Sequence, residues 1–85
     1  MQPYNVTGAV RITVQTFAFL KKRLPDGGKA TLEVAPGTTI GELMALLDLP
    51  GGQVHLIFRN NVHAQAEDVL EPGDRVAFFP PVAGG

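Results

Sequence analysis

The alternation of apolar and polar residues predicts a strand pair in the first half of the chain. From Val10 to Val14 every second residue is apolar and β-branched, and an alternation returns from Ala30 to Val34. A period of two is typical of strands. The wholly apolar stretch 17–20 predicts that the first strand continues there, buried on both faces near the middle of a sheet. Proline and glycine residues within 21–28 predict a turn, after which the second strand runs antiparallel to the first.

A helix is predicted to follow the second strand. Thr39 and Glu42 fit a capping box, in which each side chain accepts a hydrogen bond from the other residue's backbone amide. The next apolar residues recur with helical spacing and should face a core: Ile40, Leu43, Met44 and Leu47. Proline and glycine in 48–52 end this helix.

The second half of the chain is predicted to return to the sheet. Its elements are, in order, a strand over 54–59, an Asn60-Asn61 turn, a short edge strand over 62–64, a single helical turn over 67–70, a turn over 71–74 and a last strand over 75–79. One main helix across one face of a small mixed sheet is an α+β architecture. This order of elements predicts the ubiquitin-like β-grasp.

The domain organisation predicted for the 85 residues is simple. Residues 1–9 show no period and form a flexible N-terminal lead-in, residues 10–79 form the β-grasp domain, and residues 80–85 form an extended C-terminal Gly-Gly tail. A chain of this size buries only about 60% of its unfolded surface, which allows one small core and no deep enzyme cleft.

Composition narrows the possible partners and the compartment. The net charge is −1 and the basic residues are scattered, so we expect no nucleic-acid partner. There is no cysteine, which excludes disulfides and thiolate chemistry. No apolar run approaches the roughly 18–20 residues that span a bilayer, and no signal peptide is recognisable. We therefore expect a cytoplasmic protein with no membrane partner.

The last predicted strand separates two aromatic residues. Alternation places Val76 and Phe78 on one face of the sheet and Ala77 and Phe79 on the other. One helix cannot bury both rings, so we expect one ring on the uncovered face.

The segment after this strand has properties that suit a reactive terminus. Pro80 and Pro81 favour an extended conformation that points away from the domain. Gly84 and Gly85 lack a Cβ, so they can enter a narrow channel and leave the carboxylate unhindered. Two terminal glycines occur by chance in roughly one chain in 200. The two glycines therefore indicate a reactive terminus only in combination with the preceding strand, the aromatic residues and the prolines.

A carboxylate is a poor acyl donor until ATP converts it to an acyl-adenylate. The sequence has no G-x-x-x-x-G-K-[ST] loop, and residues 26–30 lack its spacing. We therefore expect a partner enzyme to use the ATP. The chain itself should bind no cofactor or metal and should not be an enzyme by itself.

Other candidate residues have structural interpretations. His55 and His63 lack a second ligand at zinc spacing, and His55 is expected in a strand, packed or at its face. Phe17 and Phe19 are expected in the core rather than at an interface. The carboxylates of the turn regions are expected to be solvated turn formers: Glu67, Asp68, Glu71 and Asp74.

The C-terminal stretch Gly73–Gly85, GDRVAFFPPVAGG, closely resembles the signature of the ThiS/MoaD sulfur-carrier family, and most of all its molybdopterin synthase small-subunit branch. Val14–Lys21 and Pro36–Leu43 resemble, more weakly, the first strand and the helix start of that family. The resemblance implies that Gly85, next to Gly84, carries the adenylate and then a thiocarboxylate. It also implies a partner-binding segment made of Phe79, Pro80, Pro81, Val82 and Ala83.

The same resemblance implies three partners. They are an E1-like adenylating enzyme, a sulfur donor protein and the large subunit of molybdopterin synthase, in the synthesis of the molybdenum cofactor. The ThiS branch, which supplies sulfur to the thiamin thiazole, is an alternative, although the Phe-Phe-Pro-Pro run favours the molybdopterin branch. Two further classes stay open: a ubiquitin-like modifier conjugated through Gly85, and an interaction module that binds through its open sheet face.

Overall fold

The predicted strand pair forms as β1 (Val10–Thr16) and β2 (Lys29–Val34) in the computed structural model, which describes residues 9–49 and 51–81. The two strands pair antiparallel from Val10 opposite Val34 to Gln15 opposite Lys29. Every second residue of β1 is buried, because one face of the strand packs on the core and the other does not.

The apolar stretch 17–20 does not continue β1, so the prediction of a longer strand buried on both faces is wrong. A 3-10 helix occupies Ala18–Arg23, and a one-turn helix, α1, occupies Pro25–Gly28. Ala18 begins this change of direction with a φ of 54°, which no strand adopts. The turn carries Leu20 into the core, where it is fully buried.

The predicted helix is confirmed as α2 (Ile40–Leu46). Its capping box is complete: the Glu42 amide donates to Thr39 Oγ1 at 3.1 Å, and the Thr39 amide donates to Glu42 Oε1 at 2.9 Å. Ile40 and Leu43 are fully buried, while Met44 and Leu47 pack against the same core. The helical stripe therefore faces the sheet as predicted.

The remaining elements are a 3-10 helix over Gly51–Gln53 and the strands β3 (Leu56–Arg59), β4 (Val62–His63) and β5 (Arg75–Phe79). Asn60 and Asn61 form the predicted turn, with φ values of 53° and 69°. The helical turn predicted over 67–70 does not form. Instead, Val69 makes a single antiparallel bridge with Thr39.

The five strands of the described chain form one sheet in the order β2-β1-β5-β3-β4. β1 and β5 are parallel, whereas the other neighbouring strands are antiparallel. This mixed sheet with α2 against one face confirms the predicted α+β architecture. Among the described residues, no helix has the length and apolar character needed to cross a membrane. The boundaries proposed for the lead-in, the domain and the tail stay predictions.

Candidate functional site

Strand β5 places its two aromatic rings on opposite faces of the sheet. Phe78 is completely buried, in the core cluster that also contains Ile40 and Leu43 of α2. Phe79 is half-buried and lies on the other face, called here the open face because it lies opposite the hydrophobic core. The prediction that one of the two rings lies on the uncovered face is confirmed.

Phe79 belongs to a group of rings on the open face, called here the aromatic cluster: Phe17, Phe58, His63 and Phe79. Phe17 stacks on Phe79 with 4.3 Å between ring centroids and 4° between ring planes. Phe58 meets Phe79 edge to face at 5.6 Å, and His63 meets Phe58 in a similar way at 5.8 Å. Both arrangements suit the quadrupoles of aromatic rings.

The register of the sheet brings these rings together. Phe58 lies opposite Ala77, whose small side chain leaves room for the neighbouring rings on the same face. Phe17 follows β1 directly, beside the end of the parallel strand β5. Phe17 is half-buried on the open face, so the expectation that it is a core residue is wrong. Nothing in the local sequence marks Phe58 or Phe17, because their contact depends on strand pairing.

The chain is held by hydrogen bonding up to the end of β5. The His55 amide donates to the Phe79 carbonyl at 2.7 Å, which extends the β3–β5 ladder by one bond. Pro80 is buried, and Pro81 is exposed. The other residues of the predicted partner-binding and carrier segment lie outside the described residues: Val82, Ala83, Gly84 and Gly85. Their roles stay predictions.

Asp74 is buried, so its interpretation as a solvated turn former is wrong. Its Oδ1 accepts from the Asn60 side-chain amide at 3.0 Å, and its Oδ2 accepts from the Glu71 backbone amide at 2.8 Å. The Arg59 guanidinium lies 3.5 Å from Oδ2. The Asn60 side-chain oxygen accepts from the Arg75 amide at 2.9 Å. Asp74 thereby fastens the start of β5 to the β3–β4 turn.

The two histidines lie in different surroundings. His55 is exposed and precedes β3, so the expectation that it lies in a strand is wrong. His63 lies on β4 in the aromatic cluster. Within residues 9–49 and 51–81, no three histidine, aspartate or glutamate side chains lie close enough together to hold a metal ion. The aromatic cluster at the end of β5 is a partly exposed apolar surface, which suits contact with another macromolecule.

The sequence matches a family model described as the ThiS family over residues 14–85, which include almost all of the sheet and the Gly-Gly end. The chain belongs to the ThiS family. A comparison with curated protein sequences finds no match.

Solved structures similar to this ThiS-family chain include proteins from archaea and bacteria. The solution structure of the Haloferax volcanii HVO 2177 protein has a TM-score of 0.74 and 22% identity, with 92% of this chain and 89% of that chain covered. Small archaeal modifier protein 1 of the same organism has a TM-score of 0.70 and 20% identity, with 86% and 99% covered.

A third similar structure is the complex of subunits 1 and 2 of the molybdopterin-converting factor from Helicobacter pylori 26695. Its TM-score is 0.61 at 20% identity, with 89% of this chain and 100% of that chain covered. At such identities the likeness establishes the fold, and the predicted ubiquitin-like β-grasp is confirmed. This ThiS-family chain has the fold of ubiquitin-like sulfur carriers and modifiers, and small carriers of this type are non-catalytic.

Proposed function

We propose that this chain is a sulfur carrier that acts as the small subunit of molybdopterin synthase. The main support for the proposal is the ThiS-family match over residues 14–85, because this one family model covers both the folded sheet and Gly84-Gly85. The Phe78-Phe79-Pro80-Pro81 run favours the molybdopterin branch over the branch that supplies sulfur to the thiamin thiazole.

The proposed chemistry takes place at the carboxylate of Gly85. In the active site of an E1-like enzyme this carboxylate attacks the α-phosphate of ATP, so that pyrophosphate leaves and an acyl-adenylate forms. Hydrosulfide released by a donor protein then attacks the acyl carbon and displaces AMP, which leaves a thiocarboxylate and a proton. The chain contributes the acyl group, and its partners contribute the catalytic groups and the ATP site.

The aromatic cluster is the proposed contact for these partners. A partner that holds the tail in its active site must also cover the end of β5, where Phe79 and Pro81 lie. Aromatic side chains are common anchors at the centres of protein interfaces. The H. pylori structure, a complex of two subunits of a molybdopterin-converting factor, supports a second subunit as one such partner.

The test is reconstitution with the E1-like enzyme of the same cell, ATP and a sulfide source. We expect Gly85 to gain sulfur in place of one carboxylate oxygen, as located by mass spectrometry of the C-terminal peptide. Deletion of Gly84-Gly85 should abolish the adenylate and leave thermal unfolding unchanged. An adenylate or thiocarboxylate on the truncated chain would refute the proposal. Restoration of molybdopterin synthesis, and not of thiazole synthesis, in carrier-deficient cells would identify the branch.

The alternative function is a ubiquitin-like modifier. The structural likeness to small archaeal modifier protein 1 supports it, since the two chains share the same fold. A modifier would form an isopeptide bond between Gly85 and lysines of other proteins. Slowly migrating conjugates that disappear when Gly85 is removed would favour this alternative, and thiocarboxylate without conjugates would favour the carrier.

A further inference from the structure

A hollow of about 190 Å³ lies on the open face beside the aromatic cluster. Phe58 forms part of its wall, and the other wall residues include Thr13, Gln15, Asn61 and Arg75. The polar members can all donate hydrogen bonds, and none of the lining residues is acidic. The hollow is therefore suited to a small anionic group that lies on the surface of the sheet.

Arg75 supplies the positive charge of this hollow. Its backbone is fixed, because its amide donates to the Asn60 side chain at 2.9 Å and its carbonyl accepts from the Asn60 amide at 2.8 Å. Its side chain is exposed, and among the described residues no carboxylate or other acceptor pairs with the guanidinium. The hydrogen bonds thus fix the backbone of Arg75 on the sheet, and its guanidinium is unpaired within the described part of the chain.

A second arginine on the open face, Arg11, differs from Arg75 because it has a carboxylate partner. Arg11 lies 3.5 Å from Glu33, its cross-strand partner on β2. That pair is exposed and neutral overall. Since the whole chain carries a net charge of −1, the positive charge of Arg75 is a local feature and does not reflect general basicity.

The distance between Arg75 and Phe79 places both within one interface. The two residues are four positions apart on β5, which corresponds to about 13 Å along a strand. A standard protein interface buries roughly 800 Å² on each partner. A patch of that area centred on Phe79 has a radius of about 16 Å and includes Arg75. A protein that covers the end of β5 therefore also covers the hollow.

We propose that the hollow receives an aspartate or glutamate side chain of the adenylating enzyme, paired with the Arg75 guanidinium. This inference rests on the proposed function and names the residue that sets the electrostatic fit between the two proteins. A carboxylate has the planar two-oxygen geometry that a guanidinium binds in a bidentate manner. Its short apolar stem suits the Phe58 wall. Burial of the contact makes the ion pair specific, because an unpaired guanidinium would be costly to cover.

The test is a calorimetric titration of the full-length chain with its E1-like enzyme. Arg75→Gln should raise Kd about tenfold, and Arg75→Glu should raise it further. The wild-type affinity should fall as the NaCl concentration rises, and the Arg75→Gln affinity should fall less. Arg11→Gln is the matched control, since its charge is already neutralised by Glu33; its Kd should stay within twofold of wild type. Both Arg75 variants should unfold at the wild-type temperature.

An acidic residue of the enzyme is then exchanged for lysine. Recovery of Arg75→Glu binding by one such exchange supports the proposal. Equal Kd values for wild type and Arg75→Gln overturn it. Wild-type self-association in sedimentation that Arg75→Gln abolishes also overturns it, because the occupant would then be a second copy of this chain.

The failure of this inference can be distinguished from the failure of the proposed function. Binding is read from the titration without chemistry, whereas the proposed function is read from Gly85-dependent exchange of pyrophosphate into ATP. Exchange that persists with unchanged Arg75→Gln affinity rejects only the docking proposal. Arg75-dependent binding without exchange rejects only the sulfur-carrier chemistry, and absence of any binding rejects the docking proposal.

Discussion

The ring of Phe17 lies parallel to the ring of Phe79, with 4.3 Å between their centroids. Phe17 directly follows β1 and Phe79 is the last residue of β5, so the stack joins the ends of two parallel strands. It lies where the chain leaves the sheet for Pro80. The stack therefore stabilises the fold and also sets where the C-terminal segment starts.

This stack predicts energetic coupling between the two rings. Phe17→Ala, Phe79→Ala and the double variant should show a coupling free energy of about 0.5–1.5 kcal/mol in urea unfolding. The coupling arises because each single substitution already removes the contact between the rings. Additive losses, with no coupling beyond experimental error, would contradict the geometry.

Phe78 and Phe79 should differ in what their loss affects. Phe78→Ala opens a cavity in the core and should cost about 3–5 kcal/mol of unfolding free energy. Phe79→Ala should cost about 1–2 kcal/mol, because its ring is only half-buried, yet it should weaken binding to the E1-like enzyme strongly. Chemical denaturation and calorimetry measure the two effects. Similar unfolding losses together with unchanged affinity would exclude Phe79 as a contact residue.

Asp74 should be the most important carboxylate of the described chain for stability. Asp74→Ala removes the acceptor of the Asn60 and Glu71 donors and the carboxylate partner of Arg59, whose guanidinium keeps its 2.8 Å hydrogen bond to the Val69 carbonyl. We therefore expect a loss of about 2–4 kcal/mol. Asp68→Ala is the control: it also removes a hydrogen bond within a turn, but at a more exposed site, and should cost about 1 kcal/mol or less. Equal losses in thermal unfolding would mean that the burial of Asp74 contributes nothing.

Gly28 and Gly27 offer a test of local crowding. Both have a positive φ, 98° and 72°, so an alanine at either position should cost about 1–2 kcal/mol. A Cβ on Gly28 would also lie 2.8 Å from the carbonyl oxygen of Thr16, whereas a Cβ on Gly27 would meet nothing within 4 Å. Gly28→Ala should therefore cost about 1–3 kcal/mol more than Gly27→Ala. If Gly27→Ala is the worse variant in urea unfolding, the packing of α1 on β1 is wrong.

The elements with local signals were predictable from the sequence. Thr39 and Glu42 lie within one turn, so their capping box determines the start of α2 without help from the rest of the chain. Asn60-Asn61 tolerates positive φ, and strand alternation separates Phe78 from Phe79. Each of these signals involves residues that are close together in the sequence, so the local sequence pattern alone is enough to predict the local structure.

The features that were not predictable depend on contacts distant in sequence. The stretch 17–20 has no period to distinguish a strand from a 3-10 helix, and its turn is set by the burial of Leu20. Asp74 resembles any turn aspartate until Arg59, fifteen positions earlier, is placed beside it. Phe58 joins the aromatic cluster through strand register, which the sequence of β3 alone does not specify.

The central place of β5 in the sheet has a consequence for synthesis of the protein. β1 and β2 leave the ribosome early, but neither can be joined to β3 until residues 75–79, made last among the strands, are inserted between them. An interrupted translation product that lacks β5 therefore cannot complete the sheet. Since the same residues lead directly into Pro80, a nascent chain completes its sheet only when the stretch before the proposed carrier terminus has been made. A complete sheet thereby indicates that the chain has been translated at least to the end of β5, before it meets the proposed activating enzyme.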